Sequence, residues 1–211
     1  MKIVRDGYPF IIFALVITVV VGYFWGLEWA VIPLVAAFYF AYFFRNPDRP
    51  LPAEEDILYS PADGRVMNVE EIYDHEFLNA PAWKVTVFLS VFNVHVNRSP
   101  MQGEIKYQRY NVGKFVPAFD KQATFKNERH AIGIDNGKIK IVVIQVAGLL
   151  ARRIVSWVTL GNRIEQGECY GMIKFGSSTE LIVPMNVEIL VCKGQNVVGG
   201  ITKMGRIKNE L

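Results

Sequence analysis

The chain has 211 residues, a formal net charge of +3 and 51% apolar residues, with a mean hydropathy of +0.21. That length suits one domain with an appendage, and the apolar excess lies before Arg45. The mild basicity comes without a Lys/Arg-rich run interleaved with aromatics, which argues against nucleic acid as a partner and fits an anionic lipid surface better.

From the amino terminus, Tyr8 to Trp25 is uncharged, with Thr18 as its polar interior residue, and Trp29 to Phe44 is uncharged as well. Every face of both runs is apolar, and each is slightly shorter than the ~20 residues that cross a bilayer comfortably. A cleaved signal peptide has one apolar region, whereas two in tandem predict a retained membrane hairpin over residues 1–45. Lys2 and Arg5 precede it and Arg45 and Arg49 follow it, which places both ends on the cytoplasmic side of the cell membrane. The hairpin either spans a thinned bilayer or dips into it, and both versions leave the remaining chain in the cytoplasm.

Residues 45–52 form a Pro-rich linker that cannot stay helical. Beyond it come short β-rich runs separated by turn signals. Lys84 to Val91 reads as a strand with Val85, Val87 and Leu89 on one side. Lys138 to Val146 is another, opened by the Asp135-Asn136-Gly137 turn. Ile154 to Leu160, Gly171 to Phe175, Glu180 to Pro184 and Val187 to Cys192 continue the series, with glycines punctuating the last third. Helix has weak support, mainly near Phe115 to Arg129. The pattern predicts an all-β, barrel- or sandwich-like domain over residues 46–211.

The cysteines, Cys169 and Cys192, match neither a CxxC pair nor a zinc site and read as reduced core thiols. His75, His95 and His130 are scattered without metal-ligand spacing, so no metal is expected.

Three clusters carry candidate chemistry: Ser60-Pro61-Ala62-Asp63-Gly64, Phe92 through Pro100 around His95, and Gly171 through Thr179 around Gly176-Ser177. Each is ambiguous alone. Asp63-Gly64 is most often a plain turn, a histidine after an apolar strand is usually a satisfied structural one, and Gly176-Ser177 suits a simple bulge. Together they supply an aspartate, a histidine and a serine, the components of a base-activated nucleophile if the fold brings them together. Arg98, Arg152 and Arg153 are candidates for an anionic headgroup or equally for solvated barrel-end charges.

The string Phe43-Phe44-Arg45-Asn46-Pro47-Asp48-Arg49, the Pro-Ala-Asp-Gly stretch and His95-Val96-Asn97-Arg98 resemble the short, archaeal-type form of the phosphatidylserine decarboxylase family. So do Ala147-Gly148 with Ala151-Arg152-Arg153-Ile154-Val155, and Phe175-Gly176-Ser177. The resemblance covers most of the chain after the hairpin, in the expected order. It implies an all-β core and autocatalytic cleavage between Gly176 and Ser177. The products would be a large chain ending at residue 176 and a small chain of residues 177–211. It further implies that Ser177 becomes a covalent pyruvoyl cofactor, with Asp63 and His95 as its partners. Asp63 would orient His95 and keep it basic, as in Ser-His-Asp sites. The implied activity is decarboxylation of phosphatidylserine to phosphatidylethanolamine in phospholipid biosynthesis, with the ketone as electron sink and His95 as proton donor. The chain departs from the longer bacterial enzymes in two places: Ser178 follows the cleavage serine where they have threonine, and Phe92 stands where they carry a second histidine.

Three rivals remain. One is a pyruvoyl decarboxylase of another amino-lipid or of a free amino acid, and the second is an uncleaved membrane serine hydrolase using the same three residues. The third is a lipoyl-like module, for which Lys203 beside Met204 is the faint carrier candidate. A homodimer is the base expectation for assembly.

Overall fold

A computed structural model of the chain describes residues 2–50, 54–113, 127–148, 153–174 and 177–208. The chain divides into two compact units, Met1–Asp48 and Arg49–Leu211.

In the first unit, helices α1 (Tyr8–Trp25) and α2 (Leu27–Phe43) are joined through Gly26 alone, at φ +99°. A side chain there would be strained, so glycine is what allows so short a connection. Thr18 Oγ1 donates to the Ala14 carbonyl at 2.8 Å, so the one polar side chain inside α1 is satisfied within its own helix. Along most of the hairpin the residues that pack inward are small, with Phe43 at the end of α2 the large exception: Ala14, Ala30 and Ala37 are buried, and a Cβ on Gly22 would sit 3.4 Å from that of Ala30. The large residues point outward, with Phe13 at 67%, Val19 at 72% and Phe38 at 69% exposure. Small-in, large-out is the reverse of a water-soluble bundle and matches helices packed in lipid. Arg5–Trp25 is long and apolar enough to cross a membrane.

The ends of the hairpin are tied together. Strand β1 (Lys2–Ile3) pairs antiparallel with β2 (Arg45–Asn46), and Val4 N–H donates to the Phe44 carbonyl at 3.0 Å. The start of the expected linker is therefore a short strand. Its pairing puts Lys2, Arg5 and Arg45 at one end of the hairpin.

The second unit is all-β. Its strands are β3 (Ile57–Tyr59), β4 (Gly64–Asp74), β5 (Ala80–Leu89), β6 (Val96–Arg98), β7 (Gly103–Asn111), β8 (Arg129–Asp135) and β9 (Lys140–Ala147). There follow β10 (Arg153–Ser156), β11 (Arg163–Ile164), β12 (Cys169–Lys174), β13 (Ser177–Pro184), β14 (Val187–Ile189), β15 (Asn196–Val197) and β16 (Lys203–Ile207). A curled eight-stranded antiparallel sheet has the order β11-β7-β8-β9-β13-β5-β4-β15, and two three-stranded sheets have the orders β10-β12-β6 and β14-β16-β3.

Alternation along β5 sends Val85, Val87 and Leu89 into the main core with Ile132, Ile134, Ile141, Val143, Leu181 and Val183. The opposite face is covered too, because Phe77 and Leu78 pack against Ala82, Ala131, Val142, Ile144 and Ile182. The Asp74 carboxylate holds that cover down by accepting from the Phe77 and Leu78 N–H groups at 2.9 and 2.7 Å. Central strands β9 and β13 are thus buried on both faces, and β13 places Ser177 at the start of a doubly paired strand.

The β8–β9 connection is the expected turn, with Gly137 at φ +84° and its N–H donating to Asp135 Oδ1 at 2.8 Å. Of the weakly supported helix near 115–129, residues 114–126 lie outside the described residues, and Arg129 opens a strand instead. Cys192 is exposed rather than part of the core, and Cys169 is half-buried; neither forms a disulfide among the described residues.

Candidate active site

Ser177 is fully buried. Its backbone is locked between two neighbours, paired with Leu89 of β5 on one side and Ala147 of β9 on the other. Its Oγ makes no hydrogen bond among the described residues. A buried hydroxyl without a partner costs about 1–3 kcal/mol, and a reactive role is one of the reasons such a group is kept. Gly176 and Phe175, and with them the expected scissile bond, lie outside the described residues, as do Ala151 and Arg152.

His95 is also fully buried. It immediately precedes β6, and its carbonyl accepts from the Ile173 N–H at 3.3 Å, which extends the β6–β12 ladder. The ring Nδ1 lies 3.0 Å from the Asn93 carbonyl oxygen. A carbonyl only accepts, so Nδ1 carries the hydrogen and a neutral ring keeps its lone pair on Nε2. Asn93 is fixed in turn, because its Oδ1 accepts from Ser90 N and Ser90 Oγ at 2.9 and 2.8 Å.

The segment around Ser177 meets the histidine strand twice. Before Ser177, Ile173 bonds the His95 carbonyl; after it, Thr179 Oγ1 accepts from Asn97 Nδ2 at 3.1 Å. Ser177 is bracketed by these two contacts with a segment spanning only residues 95–97. The fold therefore brings the serine and histidine clusters together.

Asp63 is placed differently from the expectation. Its Oδ1 and Oδ2 accept from Arg49 Nη1 and Nη2, both at 2.8 Å, and Oδ1 also accepts from Gly199 N–H at 2.8 Å. Arg49 Nη1 additionally donates to the Gly199 carbonyl. The carboxylate thus sits in a bidentate pair with a side chain that is only 6% exposed, and none of its hydrogen bonds goes to His95. The expected orienting contact from Asp63 to His95 is not made; the Asn93 carbonyl holds that place. The Asp63 loop is nonetheless attached to the histidine strand, since the Pro61 carbonyl accepts from Arg98 N–H at 2.9 Å.

Arg98 is buried and donates from Nη1 to the Gly167 carbonyl at 3.0 Å, which makes it a framework residue, whereas Arg153 is exposed at the start of β10. Lys203 opens β16 in an ion pair with Glu54 at 2.8 Å, unlike a carrier lysine at a hairpin tip. Among the described residues no group of three or more His, Cys, Asp or Glu side chains gathers as a metal site would require.

A buried polar chain, unmarked in the sequence, runs away from Thr179. Asn97 Oδ1 accepts from Gln145 Nε2 at 2.8 Å, and Gln145 Oε1 lies 3.2 Å from His130 Nδ1. His130 Nε2 accepts from Gln108 Nε2 at 2.9 Å. Burial holds the His130 pKa below its ordinary value of 6.5, with the Gln145 bond opposing.

Residues 36–205 match the family model described as phosphatidylserine decarboxylase. The chain is 44% identical over 205 residues to the phosphatidylserine decarboxylase proenzyme of Carboxydothermus hydrogenoformans, covering 97% of this chain and 96% of that protein. The proenzyme of the same name from Symbiobacterium thermophilum is 45% identical over 208 residues, with 97% and 95% covered. That of Syntrophus aciditrophicus is 43% identical over 206 residues, with 96% of each chain covered.

Proposed function

The chain belongs to the phosphatidylserine decarboxylase family and is a decarboxylase of phosphatidylserine, and from that premise we propose that Ser177 cuts its own chain with His95 as base. The observation that carries this reading is the fully buried Ser177 hydroxyl, left without a hydrogen-bond partner among the described residues beside a segment whose histidine presents a basic nitrogen. Burial supports attack on the adjacent peptide over attack on an external ester, which would have to reach an oxygen with no exposure.

In this proposal His95 Nε2 takes the Ser177 hydroxyl proton, and Oγ adds to the Gly176 carbonyl carbon. The C–N bond breaks as the Ser177 nitrogen takes up a proton, leaving an ester. Gly176 offers no side chain to obstruct the attack. Removal of the Ser177 α-proton then expels the Gly176 carboxylate as the end of the large chain and leaves dehydroalanine. Water hydrolyses its enamine, releasing ammonia and leaving a pyruvoyl group at the head of the small chain. Asp63 is the acidic partner in this scheme. In the structure it is committed to Arg49 and Gly199, so it reaches the imidazole only by exchanging that pair, and the Asn93 carbonyl orients the ring until then.

The residues present fit a pyruvoyl group at position 177. The site is buried, the Ser177 Oγ that departs with the Gly176 carboxylate has no hydrogen-bond partner among the described residues to retain it, and Asn97 and Thr179 fix the strand without engaging it. The group supplies an electron sink for the departing carboxylate when in place. His95 is the proposed holder of the proton returned to the product, a role worth about 10²–10⁴-fold. The hairpin anchors the catalytic unit, and its clustered Lys2, Arg5 and Arg45 put that unit on the cytoplasmic face.

The test is the Ser177→Ala and His95→Ala variants, made full length in lipid nanodiscs. They are followed by gel for chain cleavage and by lipid mass spectrometry for conversion of phosphatidylserine. Both should stay as one chain and form no phosphatidylethanolamine. A Ser177→Ala chain still cut at the 176–177 bond overturns the assignment.

A further inference from the structure

Asn97 stands where the three segments carrying the proposed reacting groups are fastened to one another. It lies two residues beyond His95, and Thr179 lies two beyond Ser177. By strand alternation each of these residues shares a face with its reacting neighbour. Asn97 Nδ2 donates to Thr179 Oγ1 at 3.1 Å and to the Pro61 carbonyl, two residues before Asp63, at 3.3 Å. Its Oδ1 accepts from Gln145 Nε2 at 2.8 Å. Both amide hydrogens and the amide oxygen are therefore in use, in a side chain with no exposure.

The surroundings are built around this amide. Gly171 is the strand partner of Asn97, and a Cβ on it would run into the Val155 carbonyl oxygen and stand 3.2 Å from Gln145 Nε2. Glycine at 171 is what lets Gln145 reach across. Gln145 is held in turn by His130, and His130 by Gln108, which also donates to the Val158 carbonyl at 3.3 Å. A core that only needed filling would be served by a leucine at 97, whereas a buried polar chain is favourable only when every member is satisfied and aligned. The chain ends at Thr179, one alternation from the nucleophile.

We propose that Asn97, acting through Thr179 and supported by Gln145, is the positioning residue that sets Ser177 in register with His95 for chain cleavage. This rests on the self-cleavage reading above. Asn97 touches none of the reacting atoms; it fixes the strand offset on which their approach depends, and a misplacement of about 1 Å costs on the order of a hundredfold in rate.

The experiment is a time course of cleavage of the full-length chain synthesised in the presence of nanodiscs. Thr179→Val keeps the side-chain shape and removes the acceptor, and should slow cleavage roughly tenfold to a hundredfold. Thr179→Ser restores the hydroxyl and should return the rate to within about threefold of the unchanged chain. Asn97→Ala should be at least as slow as Thr179→Val, and the double variant no slower than Asn97→Ala, because both remove the same contact. Melting temperatures of the same variants in a Ser177→Ala background separate slow cleavage from poor folding. If Asn97→Ala does not fold, the Val and Ser pair at 179 decides alone. Cleavage of Thr179→Val within twofold of the unchanged chain, or Thr179→Ser as slow as Thr179→Val, overturns the positioning role. It leaves self-cleavage standing provided Ser177→Ala stays uncut; a cut Ser177→Ala chain sinks both readings.

Discussion

Replacing Arg49 with methionine strands a carboxylate. In the structure Asp63 receives two parallel N–H bonds from Arg49 at 2.8 Å, and the side chains are 6% and 14% exposed. Breaking a buried ion pair from one side costs about 3–5 kcal/mol, because the remaining charge is left uncompensated. Asp63 keeps the Gly199 N–H bond and a little water, so the low end applies, about 3 kcal/mol. For a chain of this size, 1 kcal/mol moves Tm by about 2–4 °C, so Arg49→Met should lower it by about 6–12 °C. The assay is near-UV circular dichroism melting in detergent, in a Ser177→Ala background so that every sample is one intact chain. Adding Asp63→Leu to Arg49→Met removes the stranded charge and should recover at least half of the loss. A drop below about 2 °C, or a double variant no more stable than Arg49→Met, would refute the reasoning.

Two further stability predictions follow from buried groups. The Tyr170 hydroxyl is fully buried and has no hydrogen-bond partner among the described residues, so Tyr170→Phe should leave stability unchanged or raise it by about 1 kcal/mol, read as a Tm shift. His130 has its folded pKa held below 6.5 by burial, so its neutral form is the native one. The unfolded chain binds the extra proton first. The stability contribution is therefore complete above about pH 6.5 and falls, by at most about 1.4 kcal/mol per pH unit, as pH drops from 6.5 toward the folded pKa. Melting between pH 8 and 5 should show this slope, and His130→Gln should flatten it.

The hairpin is plain in the sequence because its two apolar helices are long uncharged runs, and the absence of such runs elsewhere marks the boundary. Its second helix begins at Leu27 rather than Trp29 because a single glycine makes the turn, and Glu28 sits in the first turn of the helix. Strands such as β9 and β13 are legible as apolar runs. Strands β4 and β7 escape notice because each carries a register shift, at Val66/Asn68 and at Ile105/Tyr107, which breaks the alternation that identifies a strand. Ser177, Gly176, His95 and Asp63 stand out through local motifs. Arg49 is quoted in such a motif and counted among the charges flanking the hairpin, but its pairing with Asp63 spans the sequence from 49 to 63 and on to Gly199. Asn97 is quoted in a motif, but the bonds that link it to Gln145 and His130 leave no local trace. The members of that chain are scattered along the sequence and acquire meaning only when β6 of one sheet meets β8, β9 and β13 of another.

Everything proposed for the site depends on Ser177 ceasing to be a serine. The direct measurement is the intact mass of the small chain from purified protein, before and after treatment with a hydrazine. The account predicts a fragment running from position 177 to Leu211 that resists amino-terminal sequencing and gains one hydrazone. A chain of full mass with no hydrazine adduct, or a fragment beginning with an ordinary serine amine, would contradict it.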